Sequence, residues 1–311
     1  MYDLVVITGP TATGKTALGV EMALAFRGEI VSADSMQVYR GMDIGTAKPT
    51  PAERRGVPHH LLDAADPRDD FSAAKYAALA TEAVEDIRRR GLLPIVVGGT
   101  GLYIDALLRG TDFAPAPEDP ALRAELEAEY DSIGGEAFRE KLRAVDPDRA
   151  EKLAPGDKKR LVRAMEVYRL TGETITAHDE RTKAVPPRYR AMKLALDFAD
   201  RERLYARIDE RAARMFDDGL VEEVRGLLDA GVPLGGTAMQ AIGYKEVAAH
   251  LVGELTLPEA MELVQRRSRQ YAKRQLTWLR RDESLRWVRW EDAPDFESVR
   301  PLSTGYAVET P

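Results

Sequence analysis

Apolar positions along this chain fall into two kinds of run. Short, β-branched runs read as buried strands: residues 2–8, which include "LVVI", 29–34 ("EIVSAD"), 92–99 ("LLPIVVGG") and 191–198 ("AMKLALDF"). Between the first three, apolar residues recur with helical spacing in "TALGVEMALAF" and in residues 73–90, where Ser72 is placed to cap the helix. Strands alternating with helices predict a parallel α/β sheet.

The pattern then changes. "APAPEDP" (114–120) and "VPPRY" (185–189) break it, and from 121 to about 181 only helical spacing occurs. The expected organisation is one α/β domain made of residues 1–112 and 190–311, interrupted by an all-helical insertion at 113–189. Beyond 200 the spacing is mostly helical, ending in a basic helix at 258–281, and 300–311 reads as a loose tail.

Composition narrows the class. At 44% hydrophobic and 31% charged, the 311 residues are ordinary for a globular protein. There is no cysteine, so disulfides and thiolate chemistry are excluded. The start, "MYDLVVITGP", has no basic n-region, and no apolar run approaches the roughly 18 residues of a membrane span. A cytoplasmic monomer with no membrane partner is expected. The net charge of −7 argues mildly against a nucleic-acid partner, but charge is uneven: 258–281 carries seven Lys/Arg against two Glu, and 157–169 carries five against two acids. Each run is either a polyanion surface or a solvated helix face.

The chemistry begins at Gly9-Pro10-Thr11-Ala12-Thr13-Gly14-Lys15-Thr16, which fits G-x-x-x-x-G-K-[ST] in the required strand–loop–helix context. Glycines let backbone N–H groups curl around phosphate oxygens, and the helix N-terminus adds its positive end. Lys15 supplies a point charge, and the Thr16 hydroxyl is a candidate Mg²⁺ ligand. Nucleotide or diphosphate would both suit this grip. The run "LPIVV" ends in Gly98-Gly99-Thr100 with no acid to serve as a Walker-B group. The carboxylate that does follow a strand is Asp34, which is equally a magnesium ligand, a helix cap or a general base.

The blocks "GPTATGKT", "VSADSMQVYRGMDIGTAKP", "VVGGTGLYIDALL", "RIDERAARMFDDGLVEEV", "AIGYKE" and "QYAKRQLTWLR" together resemble the tRNA dimethylallyltransferases, also called tRNA isopentenyltransferases. The resemblance spans nearly the whole chain, thins in the insertion and vanishes in the tail. It implies a P-loop NTPase-like parallel sheet flanked by helices, with the insertion binding tRNA. It implies transfer of a dimethylallyl group from dimethylallyl diphosphate to N6 of adenosine 37, beside the tRNA anticodon, with Mg²⁺ as cofactor. Asp34 would be the general base, Arg211 a cation on the leaving diphosphate, and Thr11 and Thr100 further groups around the reacting atoms. Asp34, Ser35, Met36 and Gln37, the run Lys159, Arg160, Leu161, Val162 and Arg163, and also Thr100 and Arg123 would contact tRNA.

On this resemblance, adenosine 37 of the tRNA is stacked in the anticodon loop and has to be flipped out to reach a pocket. On the basic helix, Arg266, Gln270 and Arg274 share one face, while Val264, Tyr271 and Trp278 line another. The competing reading is an ATP-dependent small-molecule or nucleoside kinase. It shares the P-loop and a helical lid, but gives neither the basic helix nor the "DSMQVYRGMDIGTAKP" block a role. A GTPase-like switch lacks an N-K-x-D-type base-reading motif.

Overall fold

The computed structural model describes residues 2–110 and 119–296. The expected linker at 114–120 falls mostly outside these residues, and the tail at 300–311 wholly so. Among the described residues, those up to Leu108 and from Arg188 onward form one compact unit, and those between Arg109 and Pro187 form a second. The insertion was expected at 113–189, so its limits fall a few residues earlier.

In the first unit the chain runs β1 (Leu4–Thr8), α1 (Lys15–Phe26), β2 (Gly28–Ser32), α2 (Pro51–Arg54), β3 (His59–His60), α3 (Ala73–Arg89), β4 (Leu93–Val97) and α4 (Gly101–Arg109). The second unit holds α5 (Pro120–Ile133), α6 (Gly135–Arg143), α7 (Pro147–Lys152), α8 (Lys158–Thr171) and α9 (Ile175–Ala184). The first unit resumes with β5 (Ala191–Phe198), α10 (Arg201–Asp217), α11 (Leu220–Asp229), α12 (Tyr244–Leu251), α13 (Leu257–Leu279) and β6 (Arg286–Trp290). The six strands form one parallel sheet in the order β3-β2-β4-β1-β5-β6.

β1 is central, and all five of its residues are buried. Alternation splits them between the two faces. Val5 and Ile7 pack with residues of α1, α10 and α13, while Leu4 and Val6 pack with residues of α3 and α4. Helices on both faces explain why the strands read as unbroken apolar runs. Each such side chain contributes about 1.5–3 kcal/mol when fully buried. Ser72 caps α3 as expected, accepting from the Lys75 N–H.

Two strands were not anticipated. β3 is only two residues long, and β6, "RWVRW", carries two arginines and lies at the sheet edge. Neither offers the apolar run that marks a central strand.

The second unit is helical among its described residues, with a core of Leu126, Phe138, Leu142, Leu161, Val162 and neighbours. Its helix starts are written locally. Asp119, Asp146 and Thr174 accept backbone N–H bonds at the starts of α5, α7 and α9, and proline opens the first two of these helices. Among the described residues no helix is long and apolar enough to cross a membrane.

Candidate active site

The site gathers at the C-terminal ends of β1, β2 and β4. There the chain leaves β1 between neighbours β4 and β5, the switch point at which open α/β sheets bind ligands. The loop from Gly9 to Thr16 leaves β1 and opens α1 at Lys15. Two of its glycines are required by shape. Gly9 has φ 143°, and a Cβ there would lie 2.4 Å from the Leu196 carbonyl of β5. Gly14 takes the left-handed conformation (φ 86°) at the helix cap. The Lys15 Nζ donates to the Pro10 carbonyl at 2.7 Å, and Thr13 Oγ1 donates to the same oxygen at 2.8 Å.

The loop is tied from outside by three side chains of the C-terminal half. The Thr11 N–H donates to Gln275 Oε1 (3.2 Å), Arg207 Nε donates to the Ala12 carbonyl (3.2 Å), and Trp290 Nε1 donates to the Thr13 carbonyl (3.0 Å). Sequence reasoning assigned none of these three. Gln275 left one trace, being a polar residue four positions after Tyr271 on the inward face of α13. Trp290 lies on an unforeseen strand.

Asp34 follows β2. Its Oδ1 accepts from the N–H groups of Met36 (2.9 Å) and Gln37 (3.3 Å), so it caps the turn that follows. Oδ2 takes no hydrogen bond among the described residues. No helix follows, so the cap is of a turn rather than of a helix, and it takes up only one of the two oxygens. Thr100 stands opposite. Its hydroxyl accepts from the Ser35 N–H (3.1 Å) and donates to Ser35 Oγ (3.4 Å), and its own N–H donates to the Ala33 carbonyl (3.1 Å). Gly98 permits this approach, because a Cβ there would sit 2.2 Å from the Ala33 carbonyl oxygen.

Arg211, on α10, brings a second cation. Its Nη2 donates to the Thr46 carbonyl (3.4 Å), and among the described residues it has no carboxylate within salt-bridge distance. Asp209 is engaged by Arg269, and Glu210 by Arg214. The acids next to Arg211 in sequence are thus paired with other arginines.

Electrostatics links these groups. Burial, and then the charge of Arg211, lower the Lys15 pKa to about 7, with Asp34 opposing. Burial also lowers Arg211, and Asp34 again opposes. The Tyr271 phenol is pushed up to about 12, first by burial and then by the Asp34 charge, while a hydrogen bond with Thr100 acts the other way. Tyr271 was read only as part of an apolar face. The structure places it close to Asp34 and Thr100.

The "DSMQVYRGMDIGTAKP" block is a self-bonded loop. Buried Lys48 donates to the Tyr39 carbonyl and pairs with Asp43 and Asp63. Glu223 of α11 accepts from the N–H groups of Asp43, Ile44 and Gly45 and from the Tyr244 hydroxyl. The "VEEV" and "AIGYKE" motifs therefore hold the loop whose Thr46 carbonyl meets Arg211. Gln37 belongs to this scaffold. Its amide donates to the Thr46 and Ala47 carbonyls and accepts from Ser32, which occupies both ends of the side chain.

In the helical unit the expected RNA-contacting run divides. Leu161 and Val162 are core residues at 0% and 2% exposure, which corrects their assignment: they hold the helix and cannot present a surface. Lys159 and Arg160 are exposed. Arg123 and Arg163 both pair with Glu166, a buried carboxylate. Burial pushes Glu166 up, but the two guanidinium groups outweigh it and hold the carboxyl below its usual range. On α13, Arg266, Gln270 and Arg274 are exposed, while Val264 is buried and Tyr271 and Trp278 are half-buried, as the spacing implied. An open groove of about 390 Å³ runs along that surface, lined by Gln270, Lys273, Arg274, Thr277, Trp278 and Arg281.

Comparison with known proteins agrees with this architecture. Residues 37–282 match the family model described as IPP transferase. The chain is 50% identical over 303 residues to a tRNA dimethylallyltransferase of Geobacter metallireducens, covering 97% of each chain. It is similar to the crystal structure of the full-length tRNA isopentenylpyrophosphate transferase of Bacillus halodurans, with TM-score 0.72, 40% identity, and 99% and 96% of the two chains covered. It is also similar to a eukaryotic dimethylallyltransferase captured acting on tRNA, with TM-score 0.80, 27% identity, and 99% and 81% covered.

Proposed function

Because this chain belongs to the IPP transferase family, we propose that it is a tRNA prenyltransferase, moving the dimethylallyl group of dimethylallyl diphosphate to N6 of adenosine 37 beside the anticodon. The observation that carries this reading is the meeting of two cations, Lys15 and Arg211, with one carboxylate, Asp34, around the phosphate-binding loop.

The arrangement suits displacement of a diphosphate. As the allylic C–O bond breaks, its electron pair and the growing negative charge go to the diphosphate oxygens. N–H groups at the start of α1, Lys15 released from the Pro10 carbonyl, and Arg211 meet that charge, which is the kind of stabilisation a fixed set of dipoles and cations supplies best. The exocyclic amine forms the new N–C bond, and its lone pair becomes useful only if its proton leaves. That proton goes to Asp34 Oδ2, whose direction is fixed because Oδ1 is anchored on two backbone N–H groups. Thr11 and Thr100 flank the same space.

The residues present fit a magnesium ion bound to the substrate. The Thr16 hydroxyl, in the first turn of α1, takes no protein hydrogen bond among the described residues, and Mg²⁺ binds by few protein oxygens together with phosphates and water. When bound, the ion would neutralise charge on the leaving diphosphate. Lys159 and Arg160 of the helical unit, with the Arg123–Arg163 pair held by Glu166, are suited to the phosphates of the anticodon arm.

The direct test supplies unmodified tRNA with radiolabelled dimethylallyl diphosphate or γ-labelled ATP, then digests the RNA to nucleosides. N6-isopentenyladenosine from the first donor alone supports the assignment. No labelled nucleoside from the first donor would refute it.

A further inference from the structure

Helix α13 turns Tyr271, Gln275 and Trp278 inward. Gln275 is the unusual member, an amide only 8% exposed among the otherwise apolar buried residues of the helix. Both its ends are used. Oε1 accepts the Thr11 N–H at 3.2 Å and Nε2 donates to the Gly99 carbonyl at 3.0 Å. The approach is close enough that a Cβ on Gly99 would lie 2.2 Å from Nε2.

Thr11 belongs to the loop after β1 and Gly99 to the turn after β4, so one side chain spans two strand ends that are neighbours in the sheet. From Gly99 the connection continues through Thr100, whose hydroxyl holds the Ser35 N–H beside Asp34. One end of this chain of contacts carries the leaving group and the other carries the base.

We infer that Gln275 is a positioning residue that fixes the spacing between the diphosphate grip and the turn bearing Thr100. The role needs an acceptor and a donor in one planar group. A hydrocarbon supplies neither. A carboxylate supplies the acceptor for Thr11 but turns a second acceptor on the Gly99 carbonyl, while a protonated carboxyl supplies both. This inference rests on the prenyl-transfer reading, and wild-type enzyme assayed in parallel tests that reading separately.

The experiment compares Gln275→Glu with Gln275→Met and with wild type. Single-turnover prenylation is followed at saturating tRNA and dimethylallyl diphosphate across pH, with substrate affinities measured separately. At pH 7.5 both variants should be slower by about 10²-fold, the cost of a misplacement of about 1 Å. Both substrates should bind within about threefold of wild type, since Gln275 is buried and both ends of its amide are taken up by the protein's own backbone. As pH falls, the Glu variant alone should recover relative to wild type, because protonation restores its donor to Gly99, and the Met variant should not.

A variant-to-wild-type ratio that is flat with pH, or a loss explained wholly by weaker substrate binding, would overturn the inference. If the Glu variant does not fold, Gly99→Ala takes its place. Combined with Gln275→Met it should be no slower than the slower single variant, since both break one connection, and full additivity would refute the role. Wild type that transfers no prenyl group would defeat the parent reading.

Discussion

Lys15 gives the sharpest test of the electrostatics. Its pKa falls from 10.5 to about 7, burial being the main cause and Arg211 the second. Raising pH through 7 therefore removes the proton from the free protein, whereas a bound diphosphate restores it. If the charged form is the binding form, apparent affinity scales with its population, which is about nine-tenths at pH 6 and about one-tenth at pH 8. The dissociation constant for dimethylallyl diphosphate without tRNA should thus rise about tenfold between those values. Titration calorimetry at pH 8, in two buffers of different ionisation enthalpy, should report proton uptake on binding. The causes fix the sign of two further shifts. Arg211→Ala removes a group that lowers the pKa, so the midpoint should move up. Asp34→Asn removes one that raises it, so the midpoint should move down. Lys15→Met should bind weakly with no such midpoint. Wild-type affinity that stays constant from pH 6 to 8, with no proton uptake, would refute the reasoning.

Four other perturbations separate chemistry from scaffold. Asp34→Asn can keep the Oδ1 cap while removing the base, so single-turnover prenylation should slow by roughly 10²- to 10⁴-fold with tRNA affinity nearly unchanged, as followed by rapid quench. Lys159→Ala with Arg160→Ala should leave thermal stability unchanged and weaken tRNA binding, flattening its log–log salt slope by up to about 0.9 per lost duplex phosphate contact. The adjacent Leu161→Ala should instead cost about 2–5 kcal/mol of stability in a urea titration, because Leu161 is core. Glu223→Ala strips the partner from three backbone N–H groups and a tyrosine hydroxyl. It should destabilise the fold by about 1–3 kcal/mol and raise the KM for dimethylallyl diphosphate, since the freed loop no longer holds Thr46 against Arg211.

The sequence by itself determined what is local. The strand, loop and helix of residues 4–26 carry their own geometry, because glycine conformations and hydrogen bonds within a few residues define a phosphate cradle wherever it lies. The core strands were legible because a central parallel strand, covered on both faces, must be apolar throughout. Helices of the insertion were legible because their periodicity and caps are short-range. What the tertiary structure decided are contacts across great separations. Thr11 meets Gln275 and Thr13 meets Trp290 only because β1 lies in mid-sheet, and Ser35, next to Asp34, meets Thr100 because β2 and β4 are neighbours. Strand order is set by the packing of whole layers, so it leaves no mark on any one residue. A glutamine on a basic helix looks like surface until the fold turns it inward, and "RWVRW" looks like a loop until β5 offers it an edge.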